Sequence, residues 1–172
     1  MEMEPSNLVL GKMRKDTRLI PIRTSSGEAA TIQMNPTIAP YGAQSKDSTR
    51  YTVDLIVTDA AATKALEKLD AWASNELKSR SDLEYLPCLK RREGHPPKLR
   101  TKFTTAGQMP LRCWTPEHEA IELRDMAWTN SVLIPVLHVR GIWMNMGKAG
   151  LLLEMTDVVA ETNRTEWPFK GL

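Results

Sequence analysis

Cysteine is scarce in this chain, which has only Cys88 and Cys113 among its 172 residues. A domain of this length can bury a sufficient core without disulfides or a structural metal, so its size demands no covalent staple. The first residues, Met-Glu-Met-Glu-Pro-Ser, carry neither the basic nor the apolar region of a secretory signal peptide. We therefore expect a single domain that resides in a reducing, intracellular compartment.

Long hydrophobic runs and a strong charge of one sign are also missing. The longest apolar runs, such as residues 132–139, are far shorter than the roughly 20 residues that span a bilayer, so a membrane role has no support. Lys and Arg total 23 against 21 Asp and Glu, which gives a net charge of +2. This balance excludes a histone-like protein, and any affinity for nucleic acid must come from the arrangement of the charges.

Catalytic signatures are absent as well. The chain has no Gly-rich phosphate loop, no Gly-x-Ser-x-Gly elbow and no His-Glu-x-x-His helix. The acidic residues between Trp114 and Trp128 are spaced like a solvated face rather than a two-metal nuclease centre. We therefore expect no enzymatic activity.

The best combination of metal ligands is equally weak. Cys88, His95, Cys113 and His118 are separated by six, seventeen and four intervening residues, which match no compact zinc pattern. We expect neither a metal nor another cofactor.

The hydrophobic pattern predicts a mainly β fold with one inserted helix. Alternation over residues 51–57 would bury Tyr51, Val53, Leu55 and Val57 on one face of a strand. Apolar residues at three- and four-residue steps predict a helix over residues 60–80, capped by Thr58 or Asp59. The other predicted strands cover residues 8–10, 18–23, 28–34, 98–103, 110–114, 119–123, 131–144 and 149–160.

Several features refine this scheme. Pro135 favours an edge or a bulge within the long strand, and Gly141 favours a sharp bend. A hairpin is predicted at about Met144 to Gly150, and Trp72 should anchor the helix to the sheet. Residues 1–160 would form one domain, with a mobile loop at about 35–50, a basic, irregular connection at about 81–98, and a tail at 161–172.

The most informative segment is residues 90–103, where six Lys and Arg stand against one acid. Its second half alternates, so that Leu99, Thr101 and Phe103 would face one side of a strand while Arg100 and Lys102 face the other. Such a row of cations attracts a polyanion, although a merely solvated basic loop would have the same composition.

Aromatic residues are spread over separate predicted elements. A cationic groove with aromatic faces suits single-stranded nucleic acid, whose backbone follows the charges while its bases stack. For each aromatic, however, a place in the core is the more common role, because a β domain of this size needs large residues inside. Trp114, at a strand end before Thr115 and Pro116, is the predicted stacking platform, whereas Trp143 and Phe103 are predicted to be core. The predicted nucleic-acid-binding residues are Tyr41, Lys90, Arg91, Arg92, Lys98, Arg100, Lys102, Arg112 and Trp114, with Lys90 to Arg92 forming a mobile flank.

Over residues 51–160, this order of elements resembles viral and phage OB-fold single-stranded DNA-binding proteins. The resemblance is carried by the Lys/Arg-rich strand before Phe103 and by a hairpin containing Gly141, Ile142, Trp143, Gly147, Gly150 and Leu151. It implies a five-stranded, partly open barrel that coats single-stranded DNA during replication, recombination or repair. If the source is viral, the compartment would be the host nucleus or cytoplasm.

This chain departs from the phage pattern in one respect. Phage proteins of this type often end in an acidic tail that recruits replication partners, whereas residues 161–172 are nearly balanced in charge. The candidate partners of this tail are a replication protein or a second copy of the chain.

The rival functions are an RNA-binding OB module, and a virion or scaffold protein that assembles through edge strands and Trp167-Pro168-Phe169 without nucleic acid.

Overall fold

The computed structural model describes residues 4–161 of the chain. It is mainly β with one helix, as the sequence predicts, and the residues of the tail after 161 lie outside the described part. None of the helices within residues 4–161 combines the length and apolar character needed to cross a bilayer. The elements are β1 (Leu8–Leu10), β2 (Leu19–Thr24), β3 (Thr31–Gln33), β4 (Thr37–Ile38), β5 (Ala43–Ser45), β6 (Arg50–Ile56), α1 (Ala60–Lys78), β7 (Glu84–Leu86), β8 (Leu89–Lys90), β9 (Lys98–Thr104), β10 (Arg112–Trp114), β11 (Ala120–Ile121), β12 (Val132–Asn145) and β13 (Lys148–Glu161), with short 3-10 turns at Pro5–Asn7 and Leu123–Asp125.

The strands β12 and β13 form a long antiparallel hairpin at the predicted position. Its turn places Met146 at φ 49° and Gly147 at φ 80°. Two successive residues in the left-handed region are the requirement of a type I′ turn, whose twist matches that of the strands. The sequence Asn-Met-Gly-Lys meets this requirement with a glycine at the second central position.

The long strand β12 is irregular near Pro135 and Gly141, as the sequence predicts. Its register with β13 shifts between Val136 and Leu137, and again between Val139 and Gly141. At Gly141 the backbone of β2 comes so close that a Cβ would lie 2.2 Å from the carbonyl oxygen of Ile20. Glycine is therefore required there by a close backbone approach.

Five strands pair in a ring, in the order β12, β4, β6, β9, β13 and back to β12. Two junctions of this ring are weak, because β4 meets β6 only at Ile38 and Ile56, and β9 meets β13 only at Lys102 and Glu154. By contrast, β6 and β9 pair along seven residue positions. The result is a partly open, irregular barrel, which confirms the predicted fold class.

The core of the barrel follows the predicted alternation. Val53 and Leu55 of β6 face Leu99 and Thr101 of β9 inside the barrel, all fully buried. Phe103 is 1% exposed, which confirms its predicted place in the core. Its ring stacks between two half-buried rings, with centroid distances of 4.8 Å to Tyr51 and 5.2 Å to Trp128.

The helix α1 begins where the sequence predicts. Asp59 is the cap, and its side chain accepts a hydrogen bond from the Ala62 backbone N–H at 2.8 Å. The apolar stripe packs against the sheet, with the half-buried Trp72 beside it. One polar residue, Asp70, is also buried on this face.

Three details differ from the prediction. The segment 35–50 contains β4 and β5, and the segment 81–98 contains β7 and β8, because short pairings with β6, β9, β12 and β13 satisfy their backbone groups. The prediction that Trp143 is core is wrong, since it is only half-buried. Its indole lies over Gly150, where an added Cβ would be 2.9 Å from the Trp143 ring.

Candidate nucleic-acid interface

The outer face of β6 and β9 gathers three of the seven predicted basic residues. Because successive side chains of a strand point to opposite faces, burial of Leu99, Thr101 and Phe103 turns Lys98, Arg100 and Lys102 outward. The outward residues of β6 lie beside them in register. We call this surface, made of Arg50, Thr52, Asp54, Ile56, Lys98, Arg100, Lys102 and Thr104, the β6–β9 face.

One end of the β6–β9 face combines an aromatic ring with two lysines. Tyr41 is 58% exposed, and the Lys98 ammonium lies 5.3 Å from the centre of its ring. Lys90 of β8 is directly opposite Lys98 in register. A ring beside two cations can stack on a base while the cations contact the adjacent phosphates.

In the middle of the β6–β9 face, Arg100 is held by an acid. Its Nε and Nη2 donate to the two carboxylate oxygens of Asp54 at 2.9 and 3.2 Å. This contact lowers the pKa of Asp54 and raises that of Arg100, so the pair stays ionised. Only the other edge of the guanidinium remains available to a phosphate.

Lys102 lies among other cations. Partial burial, together with Lys46, Arg50 and the neighbouring Arg100, lowers its pKa. An anion placed here would relieve that repulsion. Opposite Lys102 on β6 is Thr52, whose hydroxyl is buried and has no hydrogen-bond partner within the described residues.

The end of the β6–β9 face nearest Arg50 is partly neutralised. Arg50 forms an ion pair with Asp47 at 2.7 Å. Two hydrogen bonds lower the pKa of Asp47 to about 2. The larger effect comes from the Thr49 backbone N–H, and the next from the Arg50 side chain. The strongest uncompensated charge therefore lies from Lys102 towards Lys98.

The predicted mobile flank is built into the fold instead. Lys90 belongs to β8, and Arg91 forms an ion pair with Glu67 of α1. Arg92 lies in an exposed turn, where its carbonyl oxygen accepts a hydrogen bond from the His95 backbone N–H at 3.0 Å. Of these residues, the structure brings only Lys90 next to the β6–β9 face.

Arg112 and Trp114 form a second cluster, centred on Asp157 of β13. Arg112 Nε lies 2.9 Å from Asp157 Oδ1, and Trp114 Nε1 donates to the same oxygen at 3.1 Å. Trp114 is half-buried and borders a cavity of about 390 Å³. Glu154 is the residue of β13 that pairs with Lys102 of β9, and Asp157 lies three residues after it. The cluster is therefore about 10 Å further along β13 than Glu154.

The candidate metal ligands do not converge. Within residues 4–161, no group of three His, Cys, Asp or Glu side chains is placed to hold a metal ion. Cys88 donates its thiol to Asp70 at 3.2 Å, and burial together with this carboxylate raises its pKa. Burial also raises the pKa of Cys113, to about 11, so both thiols stay protonated at neutral pH.

Sequence reasoning missed the β6 side of the interface. Alternation over residues 51–57 already implies that Thr52, Asp54 and Ile56 face away from the core. What it cannot reveal is that β6 pairs with β9, which places Asp54 against Arg100. Lys46 lacked any periodic signal, because it lies in the turn between β5 and β6.

Comparison with known proteins gives a structural match only. No family model and no curated protein sequence matches the chain. Among solved structures, gp2.5, a single-stranded DNA-binding protein of bacteriophage T7, has a TM-score of 0.56 at 15% identity, covering 77% of this chain and 86% of that one. The single-stranded DNA-binding protein of bacteriophage Enc34 has a TM-score of 0.58 at 12% identity, covering 96% and 95%.

A further structure of the Enc34 protein is a complex with single-stranded DNA. Its TM-score is 0.52 at 14% identity, covering 94% of this chain and 98% of that one. The chain therefore has the fold of phage single-stranded DNA-binding proteins, which confirms the resemblance noted from its sequence. At these identities, the likeness concerns the fold and transfers no binding residue.

Proposed function

We propose that this protein binds single-stranded DNA across the β6–β9 face, with little dependence on sequence, in replication, recombination or repair inside the host cell. The observation that carries the proposal is the row Lys98, Arg100 and Lys102, turned outward on one strand beside the exposed ring of Tyr41. The fold shared with phage single-stranded DNA-binding proteins supports it. The role is binding, without catalysis, a metal or another cofactor.

The phosphates would follow β9. Alternate residues on a strand are about 6.6 Å apart, a spacing comparable to that of successive phosphates in an extended single strand. Lys98 and Lys102 supply uncompensated charge, whereas Arg100 contributes through its free edge. Lys90 adds a cation beside Lys98, while Arg91 and Arg92 add weaker, more distant attraction.

The bases would stack on aromatic rings at two places. Tyr41 stands at the Lys98 end of the β6–β9 face, and Trp114 stands beyond its other end with Arg112 beside it. Each stacked base contributes roughly 1–3 kcal/mol with little regard to its identity. Two separate platforms joined by a row of cations suit an extended strand of several nucleotides.

A titration with long oligo-dT at low salt tests the proposal. We expect the fluorescence of the tryptophans to change and the mobility of the oligonucleotide to shift. If neither changes, DNA binding is excluded, and assembly into a virion or scaffold through edge strands becomes the better explanation. If the oligonucleotide binds, competition between matched DNA and RNA strands decides between DNA binding and an RNA-binding OB module. This comparison is needed because stacking and phosphate contacts do not distinguish the sugar.

A further inference from the structure

A second cationic surface lies next to the β6–β9 face. It is a groove of about 560 Å³ between the segment 104–109 on one side and β2 on the other. Its floor contains His138 and Arg140 of β12 and Glu154 of β13, while Arg14 and Arg23 line its sides. None of these residues belongs to the set predicted from the sequence.

The charges of this groove are out of balance. Glu154 lies 3.5 Å from Arg140, and among the described residues it is the one acid that lines the groove. Arg23 donates to the carbonyl of Gly27 at 3.4 Å, and within the described residues neither Arg23 nor Arg14 has a carboxylate within ion-pair distance. The three arginines therefore leave an excess of positive charge for an anion to neutralise.

His138 lines the groove beside two of these arginines, Arg140 and Arg23. Its Nδ1 is buried and has no hydrogen-bond partner within the described part of the protein. The charged groups that face it are Arg23 from β2, Arg140 from β12 and Glu154 from β13, whereas β3 and the segment 104–109 contribute no ionisable side chain. Burial, then Arg140 and Arg23, lower the pKa of His138, so the free protein holds it neutral at pH 7.

The groove is continuous with the β6–β9 face. Lys102 of β9 is in register with Glu154 of β13, which in turn is in register with His138 of β12. Thr104, at the end of β9, also lines the groove. Single-stranded DNA that follows the cations of β9 would thus reach the groove where it lies on β13 and β12.

We infer that this groove is a second phosphate site, which holds a phosphate of the bound strand between Arg14 and Arg23 and takes up a proton at His138 when the phosphate enters. The identification of the strand rests on the proposed function, whereas the recognition of phosphate rests on the groove itself. A phosphate between the arginines offsets their repulsion of an imidazolium and can accept a hydrogen bond from it. Binding and protonation therefore favour each other.

The sign of the pH dependence follows from this linkage. The free protein holds His138 neutral at a pH where the complex holds it charged, so binding takes up protons and strengthens as the pH falls. The limit for one proton is about a tenfold gain in affinity per pH unit. The effect should appear between pH 8 and pH 6, a range that spans the ordinary histidine pKa of about 6.5.

The test has two independent readouts. In the first, affinity for oligo-dT without terminal phosphates is measured at several salt concentrations and at pH 6 and 8, for the wild type, R14A/R23A and H138Q. The matched control is K68A/K78A, which removes two exposed cations from α1. In the second, inorganic pyrophosphate is titrated into the wild-type protein while the ring resonances of His138 are followed by NMR.

We expect R14A/R23A to flatten the dependence of log affinity on log salt by about 0.7 for each phosphate that the variant no longer binds. H138Q should lose the gain in affinity that the wild type shows between pH 8 and pH 6, and pyrophosphate should raise the pKa read from the His138 resonances. A 5′-phosphorylated oligonucleotide that binds far better than its unphosphorylated counterpart would assign the site to a strand end instead of an internal phosphate.

Unchanged slopes in R14A/R23A, together with no response of His138 to pyrophosphate, would overturn the inference even if oligo-dT binds well. Conversely, a His138 response in a protein that does not bind oligo-dT would reject the proposed function and retain the phosphate groove. Melting curves of every variant show whether it is folded, and the pyrophosphate titration needs no variant.

Discussion

At the scale of single residues, the main finding is that an acid restrains one of the cations expected to bind phosphate. Asp54 occupies one full edge of the Arg100 guanidinium, and both groups are partly exposed. An exposed pair of this kind is worth about 0.2–1 kcal/mol. A phosphate that engages Arg100 therefore competes with Asp54.

We predict that Asp54→Asn tightens the binding of oligo-dT by about 1.4- to fivefold, which is the free energy of an exposed ion pair expressed as affinity. The substitution removes a negative charge from the β6–β9 face and frees Arg100. Titration by tryptophan fluorescence at low salt measures the change. Asp82→Asn removes the same charge from an exposed position outside this face and should leave affinity unchanged. Equal affinities for all three proteins would show that the strand passes elsewhere.

Trp114 combines a structural contact with the proposed stacking role. We predict that Trp114→Ala weakens binding by about 1–3 kcal/mol, and that it also lowers stability because the indole is half-buried and bonded to Asp157. Trp114→Phe keeps an aromatic face and should retain most of the affinity, while removal of the hydrogen bond costs about 1 kcal/mol of stability. Denaturation curves and titrations separate the two effects.

Trp143→Phe, at the opposite end of the β12–β13 hairpin, serves as the control. It should leave binding unchanged. If Trp114→Ala binds like the wild type, the stacking platform is assigned to the wrong residue.

At the scale of elements, β9 is the strand that both closes the barrel and presents the charge. We predict that Lys98→Ala combined with Lys102→Ala flattens the plot of log affinity against log salt by about 1.4, or 0.7 for each phosphate contact. The paired control Lys68→Ala with Lys78→Ala makes the same change of net charge on α1. Should both pairs change the slope equally, the effect would be one of overall charge rather than of contact.

The helix is tied to the sheet by a buried carboxylate. Asp70 accepts from the Tyr85 hydroxyl at 2.6 Å and from the Cys88 N–H at 2.9 Å. We predict that Asp70→Ala lowers the free energy of unfolding by about 3 kcal/mol, because it leaves the part-buried Tyr85 hydroxyl, Cys88 N–H and Cys88 thiol without this partner. Chemical denaturation measures the decrease, with Asp82→Ala as the exposed control.

A decrease no larger than that of Asp82→Ala would mean that water or another group satisfies the donors. Tyr85→Phe should cost less than Asp70→Ala, because the carboxylate keeps its bond to the Cys88 N–H. The combined variant should then fall short of the sum of the two decreases, since both changes break the same hydrogen bond.

The sequence predicts those strands, caps and turns that are set by local periodicity and turn chemistry. The alternation of residues 98–103, the cap at Asp59 and the hairpin turn are confirmed, because each is set by neighbours along the chain. The alternation of residues 51–57 holds for Val53, Leu55 and Val57, whereas Tyr51 is only half-buried and Thr52 is buried. The short strands β4, β5, β7 and β8 were missed because pairing with distant strands defines them. For the same reason, the contacts of Asp54 with Arg100, of Asp70 with Cys88 and of Asp157 with Trp114 could not be foreseen.

At the scale of the whole molecule, a partly open barrel turns its row of cations outward on one side. Single-stranded DNA offers flexible phosphates and free base faces to such a surface, whereas a duplex keeps its bases stacked within itself. The net charge of +2 is too small to attract every polyanion strongly. Under the proposed function, a preference for single strands would therefore arise from the local arrangement of lysines and aromatic rings.

The most direct test of this explanation compares the affinity for single-stranded and duplex DNA of the same length across a range of salt concentrations. We predict clear binding of the single strand, with log affinity falling linearly as log salt rises, and much weaker binding of the duplex at every salt concentration. Equal affinity for the two forms, or no binding of the single strand at low salt, would contradict it.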